Sequence, residues 1–215
     1  MFPVRDESHP SDKTPWVTIF LIALNVIILL ILAFSGNPDA FISQYGIVPQ
    51  NILQGKDLFT FLTSMFVHGG IIHLVSNMWY LWLFGDNIER RFGPIKFFLF
   101  YCFLGIASEL THVLLVSPEQ ANLPTIGASG AVSGILGSYI YLFPKNKIKT
   151  FTIFFFQPVF LSVPASAYIG IWFLYQLLYL GSPSVIAYAA HVGGFVAGLI
   201  FTFFFSRKNK SRNRF

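Results

Sequence analysis

The chain has one cysteine, Cys102, set inside an apolar run, so no intrachain disulfide and no cysteine-based metal site can form. Charge is scarce as well: 11% of the 215 residues are Asp, Glu, Lys or Arg, against 54% hydrophobic and 18% aromatic. With a mean hydropathy of +0.64, that is too little charge to coat a soluble domain of this size, and the expectation is a polytopic membrane protein. The pI near 9.4 would suit a nucleic-acid partner. The basic residues, however, sit in short clusters beside apolar runs, which is the pattern of membrane topology, so no nucleic acid is expected as a partner. Met1 to Pro15 lacks a basic n-region and a small-residue cleavage site after the following apolar stretch, and it carries Pro3, Pro10 and Pro15. It reads as a short disordered cytoplasmic tail (1–15), not as a signal peptide.

What is present is a series of apolar runs separated by glycine, proline and charge. They predict an all-α polytopic protein with six spans, at about 16–34, 71–84, 97–116, 126–143, 165–180 and 184–205. Together these make one membrane domain over 16–206, followed by a basic cytoplasmic tail at 207–215. The first span is about 28 Å long at 1.5 Å per residue, enough for a hydrocarbon core of about 30 Å. Ser35 to Phe66 is too long for a turn and is partly apolar, so it is expected to pack on or in the interface. Phe151 to Val163 is apolar and invites a seventh crossing. Charge argues against one: with six spans every Lys and Arg except Lys56 lies on one side, whereas a seventh would strand the basic tail on the other. The segment is therefore expected at the cytoplasmic interface or at the start of a tilted fifth helix, with both termini cytoplasmic.

The fourth span, IGASGAVSGILGSYIYLF from Ile126 to Phe143, holds Ser129 between Gly127 and Gly130. Gly130, Gly134 and Gly137 share one helical face, which lets a neighbouring membrane helix approach to backbone contact. The last span carries His191 one and two turns before Gly194 and Gly198. A serine in a membrane helix commonly bonds back to its own turn. An imidazole on a second small-residue face changes that reading, because it offers the hydroxyl a base. Measured up from the cytoplasmic ends at 1.5 Å per residue, Ser129 and His191 each lie about 21 Å high, with His73 and Asn77 at about 20 and 14 Å. These polar groups converge on one level, roughly 10 Å below the outer face. Polar and ionisable groups at that depth are costly, and their convergence points to function.

Three stretches in this order, FLTSMFVHGGIIHLVSNMWYLWLFGDNIERRFG, GASGAVSGILG and AHVGGFVAG, span roughly Phe59 to Phe205. In motif and spacing the chain resembles the rhomboid intramembrane serine proteases. The resemblance implies a six-helix rhomboid-like bundle that cleaves single-span membrane proteins near the outer end of their transmembrane segment. It also implies Ser129 as nucleophile, His191 as general base, and His73, Asn77 and the Ser129 amide as oxyanion donors. Two positions depart from the pattern. Phe59 and Thr60 stand where Trp-Arg is common, and Ser133 stands where some members place an aromatic ring beneath the histidine.

The residue chemistry points the same way. A serine hydroxyl needs a base within hydrogen-bond reach. Neither the fourth nor the sixth span contains Asp or Glu, so the expectation is a dyad whose imidazole is oriented by packing against Gly194 and nearby aromatics. This chemistry requires no metal and no cofactor; the partners are transmembrane substrates and the lipid bilayer. Other readings stand beside it. His73 and Asn77 could be interhelical glue, and His68 is expected to bond loop backbone. Glu109 and His112, three apart on the third span, read as a structural pair, since two ligands on one turn make an incomplete metal site. As a whole, the chain could instead be a catalytically silent relative that binds membrane helices. A small transporter is a further possibility, though no internal repeat supports it. The setting expected is a prokaryotic cell (inner) membrane.

Overall fold

The computed structural model describes residues 1–7, 13–182, 184 and 186–212, with side chains as far as Ser206. Long helices dominate. Helix α1 (Trp16–Phe34) leads to three short helices, α2 (Pro38–Tyr45), α3 (Pro49–Leu53) and α4 (Thr60–Thr63). Helix α5 (Ile71–Tyr80) then runs through a π-type turn (Leu81–Gly85) into α6 (Asp86–Phe92). Four more follow: α7 (Pro94–Leu115), α8 (Ser129–Leu142), α9 (Ala165–Leu178) and α10 (Tyr188–Arg212). Three helices among the described residues are long and apolar enough to cross a membrane, Trp16–Phe34, Pro94–Leu115 and Tyr188–Ser206, with Ala165–Leu178 a shorter apolar one.

The chain is not all-α. Phe2–Asp6 (β1), Lys147–Phe154 (β2) and Gln157–Pro164 (β3) form an antiparallel sheet in the order β1-β2-β3. Residues 2–6, expected within a disordered tail, are therefore a strand, while residues 8–12 of that segment lie outside the described residues. Phe151 to Val163 begins no helix; it is most of a hairpin. The physical reason lies in its composition. Phe, Ile, Val and Thr dominate, and Pro158 and Pro164 sit where a helix interior would lose its hydrogen bonds. The strand at 2–6 lacked the length to announce itself, and it exists because β2 offers it an edge. The segment expected as a basic tail at 207–215 continues α10 as far as Arg212 and otherwise lies outside the described residues.

Helix ends are set by local and distant partners. Asn37 caps α2 by accepting from the Ala40 amide at 3.1 Å, with Pro38 at the first helical position. Helix α1 has no side-chain cap of its own. Glu89, buried on α6, supplies one: its carboxylate accepts from the amides of Val17 and Thr18 at 2.9 and 2.7 Å and from the Thr18 hydroxyl at 2.8 Å. A carboxylate at a helix N-terminus satisfies the orphan donors there and meets the positive end of the dipole. Nearby, Asp6 accepts from Asn87 Nδ2 and the Tyr139 hydroxyl, both at 2.9 Å, which docks β1 onto the bundle. Beside it, burial pushes the Asp86 carboxyl up to about 6, against the pull of the Arg90 guanidinium 3.0 Å away.

Helices α8 and α10 meet at backbone contact. A methyl group on Gly198 would strike the Gly134 carbonyl, and one on Gly194 would strike the Gly130 carbonyl. The small-residue faces expected at Gly130, Gly134, Gly194 and Gly198 are thus brought together. Only such an approach leaves the residues preceding each glycine stripe, Ser129 and His191, facing one another across the seam. The long connection after α1 packs its short helices against α7 and the segment preceding α8. Ile47 and Thr125 pair through both amides at 2.9 and 2.8 Å, Thr63 donates to the Tyr45 carbonyl at 2.8 Å, and Met65 fills the space left by Gly105. At the two departures in that loop, Thr60 is buried and donates to the Asp57 carbonyl at 2.6 Å, while Phe59 is exposed.

Candidate active site

Helix α8 starts at Ser129, preceded by Gly127 with φ of +115°, a conformation that side-chain-bearing residues seldom adopt. That start leaves the first amides of α8 without helical acceptors. Gly127 is anchored by its amide, which donates to the Ser64 carbonyl at 2.9 Å.

Across the α8–α10 seam, His191 Nε2 lies 2.8 Å from Ser129 Oγ. The other ring nitrogen, Nδ1, lies 2.8 Å from Oε1 of Gln176, a buried side chain on α9. The amide orientation follows from its second contact: Gln176 Nε2 donates to the Trp172 carbonyl at 3.3 Å, so the oxygen faces the imidazole. An amide oxygen can only accept, hence Nδ1 carries the proton and Nε2 presents its lone pair to the serine hydroxyl. Trp172 and Tyr188 flank the ring with centroids at 6.1 and 6.4 Å. The imidazole is therefore held by a hydrogen bond from a third helix as well as by aromatic neighbours. Gly194, expected together with nearby aromatics to orient the ring, has the Gly130 backbone nearest the position a Cβ would take.

Sequence reasoning missed Gln176. It lies in an apolar run with no motif around it, and the one available signal was a lone buried amide in a membrane helix. Ser133, one turn beyond the serine, bonds back to the Ser129 carbonyl at 2.6 Å and leaves the histidine alone.

His73 and Asn77 stand one turn apart on α5 and face the same spot. The ring nitrogen Nε2 of His73 and the amide nitrogen of Asn77 are the side-chain nitrogens nearest the position a Cβ would take on Gly127. Asn77 Nδ2 donates to the His73 carbonyl at 3.1 Å, which leaves that amide one free N–H. Ser129, His191, His73, Asn77, Ser133 and Trp172 all line a single cavity of about 570 Å³. His68 lies outside it. Its Nε2 is 3.4 Å from the Ala128 amide and its ring packs edge-on to His73 at 5.0 Å, so it bonds loop backbone at the helix start. Glu109 and His112 are both buried without bonding each other: His112 Nε2 pairs with Thr125 Oγ1 at 2.9 Å. No group of three potential metal ligands occurs among the described residues.

In this membrane protein Ser129 and His191 thus face each other beside a cavity lined by nitrogen-bearing side chains and built from apolar helices. The rhomboid domain model matches residues 55–208, and the chain belongs to the rhomboid family. It is 31% identical over 81% of its length to the mitochondrial rhomboid protein 1 of Saccharomyces cerevisiae, covering 49% of that protein. It is 29% identical over 64% of its length to the rhomboid protease GluP of Bacillus subtilis, covering 26% of it. To the rhomboid protease GlpG of Haemophilus influenzae it is 26% identical over 91% of its length, covering 93% of that protein. One Arabidopsis thaliana relative, 30% identical over 44% of the chain, is named an inactive rhomboid-like protein. The chain thus spans about half or less of the first relatives it matches. With mitochondrial yeast and bacterial proteins both among them, the expected prokaryotic inner membrane finds no support.

Proposed function

We propose that this rhomboid is an intramembrane serine endopeptidase that cleaves single-span membrane proteins near the outer end of their transmembrane segment. The observation that carries the reading is the 2.8 Å contact between His191 Nε2 and Ser129 Oγ, with Nδ1 engaged at the same distance by Gln176. His191 takes the serine proton as Oγ attacks the scissile carbonyl, then returns it to the leaving amine. His73, Asn77 and the Ser129 amide bond the oxygen that becomes negative in the tetrahedral intermediate. Gln176 keeps the productive tautomer, the task a carboxylate performs in a triad, without placing a charge in the bilayer. The six-span arrangement with both termini cytoplasmic completes the reading, because it places every Lys and Arg except Lys56 on one side. The cavity then opens toward the outer face, where water reaches the acyl-enzyme. Substrates must expose a carbonyl there, so spans with Gly, Ser or Pro near their outer end are favoured over leucine-filled ones.

A second reading, a silent member that only binds membrane helices, draws on the relative named inactive. The paired Ser129 and His191 favour catalysis. The test is purified protein in detergent with a single-span substrate and no added metal, together with a fluorophosphonate probe. Ser129→Ala and His191→Ala should each abolish cleavage without unfolding the protein, and their losses should not add. Full turnover by Ser129→Ala would overturn the proposal.

A further inference from the structure

The β2–β3 hairpin has an orientation that its contacts fix. Strand β1 bonds the helical column of α5 and α6 at two heights: Asp6 accepts from Asn87, and the Pro3 carbonyl accepts from Trp79 Nε1 at 2.7 Å. Eight helical residues separate those partners, about 12 Å of rise. Three strand residues separate Asp6 from Pro3, about 10 Å. The strand therefore climbs alongside the helix and does not lie across its end, and the Phe2 ring stacks on Trp79 with centroids 5.5 Å apart. Strand β2 runs antiparallel, with Ile148 opposite Asp6 and Phe151 opposite Phe2, so it climbs from the cytoplasmic end toward the bilayer. Beyond Phe151 the hairpin continues for three residues, about 10 Å, to its turn.

Side-chain chemistry changes along that climb. Lys145, Lys147 and Lys149 stand at the base, and from Phe151 through Val163 there is no charged residue. At the turn Phe154, Phe155 and Phe156 are 64%, 81% and 97% exposed. Phe155 and Phe156 take φ of +47° and +63°, the two-residue turn in which Asn-Gly is the ordinary choice. Aromatic side chains pay steric strain there, and no packing against the bundle repays it. Aromatics beside lysines are the composition of a bilayer interface.

We infer that the hairpin is inserted turn-first into the cytoplasmic leaflet, with its phenylalanines among the acyl chains and its lysines at the anionic headgroups. Backbone pairing sets the depth. β2 is paired on both sides between Ile148 and Phe151, but the free edge of β3, although relieved of two donors by Pro158 and Pro164, still carries groups that need water or headgroups. Those groups hold the turn within the cytoplasmic leaflet, about 20 Å beyond the level of Asn87 by the rises above. The inference rests on the topology proposed above, and the experiment separates the two.

On a Cys102→Ala background, single cysteines at Phe155, Phe156, Lys145 and Ile27 are labelled with a nitroxide. The protein is placed in vesicles of phosphatidylcholine and phosphatidylglycerol, and collisions with oxygen and with a water-soluble nickel chelate are read by paramagnetic resonance. Ile27, exposed on α1, reports lipid, and Lys145 reports water. The expected result is an oxygen-to-nickel ratio at Phe155 and Phe156 several-fold above that at Lys145 and close to that at Ile27. A ratio matching Lys145, with Ile27 still in lipid, would overturn the insertion and leave the topology standing. Shielding from both reagents would mean that a second protein copy covers the turn, which also overturns it. Nickel access at Ile27 would sink the topology itself.

Discussion

Helices α8 and α9 lie on opposite sides of His191 and could hardly be packed more differently. Every residue of α8 from Gly130 to Tyr139 is buried. On α9 only Ala165, Ile169 and Gln176 are. The Ser129 hydroxyl and the His191 imidazole ride on the tightest seam of the molecule, where glycine brings backbone to backbone. The group that orients the imidazole rides on a helix with much less holding it. Among the described hydrogen bonds, the Tyr80 and Tyr168 hydroxyls, 2.7 Å apart, are what tie α9 to α5. In the proposed protease this difference separates two demands: the distance between nucleophile and base must stay fixed, while a substrate helix needs a side of the bundle that can give way.

The comparison breaks most visibly at the glycines. Gly198→Leu drives a side chain into the Gly134 backbone, which cannot move aside as a side chain would. Overpacking commonly costs about 1–3 kcal/mol, and a backbone obstacle costs more. The variant should yield no folded protein by size-exclusion chromatography in detergent. Gly170→Leu on α9, where a Cβ meets nothing within 4 Å, should leave the melting temperature nearly unchanged. Equal damage from both would erase the contrast between the helices.

A smaller loss is expected at α5. Asn77→Ala removes one oxyanion donor and should lower kcat by about a hundredfold to a thousandfold, with His73 and the Ser129 amide still in place. An unchanged kcat would return Asn77 to helix packing.

Gln176→Leu should cost less again, about tenfold in kcat with KM little changed, the scale of one hydrogen bond of about 1.4 kcal/mol. Gln176→Glu, which keeps an acceptor facing Nδ1, should recover more activity than Leu does. If Leu and Glu were equally impaired and both melted early, Gln176 would be a packing residue only.

Smallest of all, Tyr168→Phe removes the bond between α9 and α5 and leaves the ring. It should lower stability by about 1 kcal/mol and raise turnover by up to about fivefold where movement of α9 limits the rate. Stability lost with no gain in turnover would show that α9 gates nothing.

Much of this molecule is legible in the chain because hydropathy, glycine spacing and polar residues at matched depth are local signals. Ser129, His191, His73 and Asn77 could be picked out because each occupies a fixed register on an apolar helix, and 1.5 Å of rise per residue converts register into height. What height does not contain is azimuth. Which face of α9 turns toward His191 depends on how three helices pack, so Gln176 looked like any amide in an apolar run. The same limit hid Glu89 as the cap of α1, since its partners lie 71 and 72 residues away. It also hid β1, because five residues have no strand identity until β2 supplies hydrogen bonds along one edge. The sequence alone determined that the chain is a membrane protein and which helices would carry the serine and the histidine. Only the tertiary structure decided how the imidazole is held and what Phe2–Asp6 and the 147–164 segment become. Those outcomes rest on pairings between distant segments, whose geometry exists only once the helices have packed.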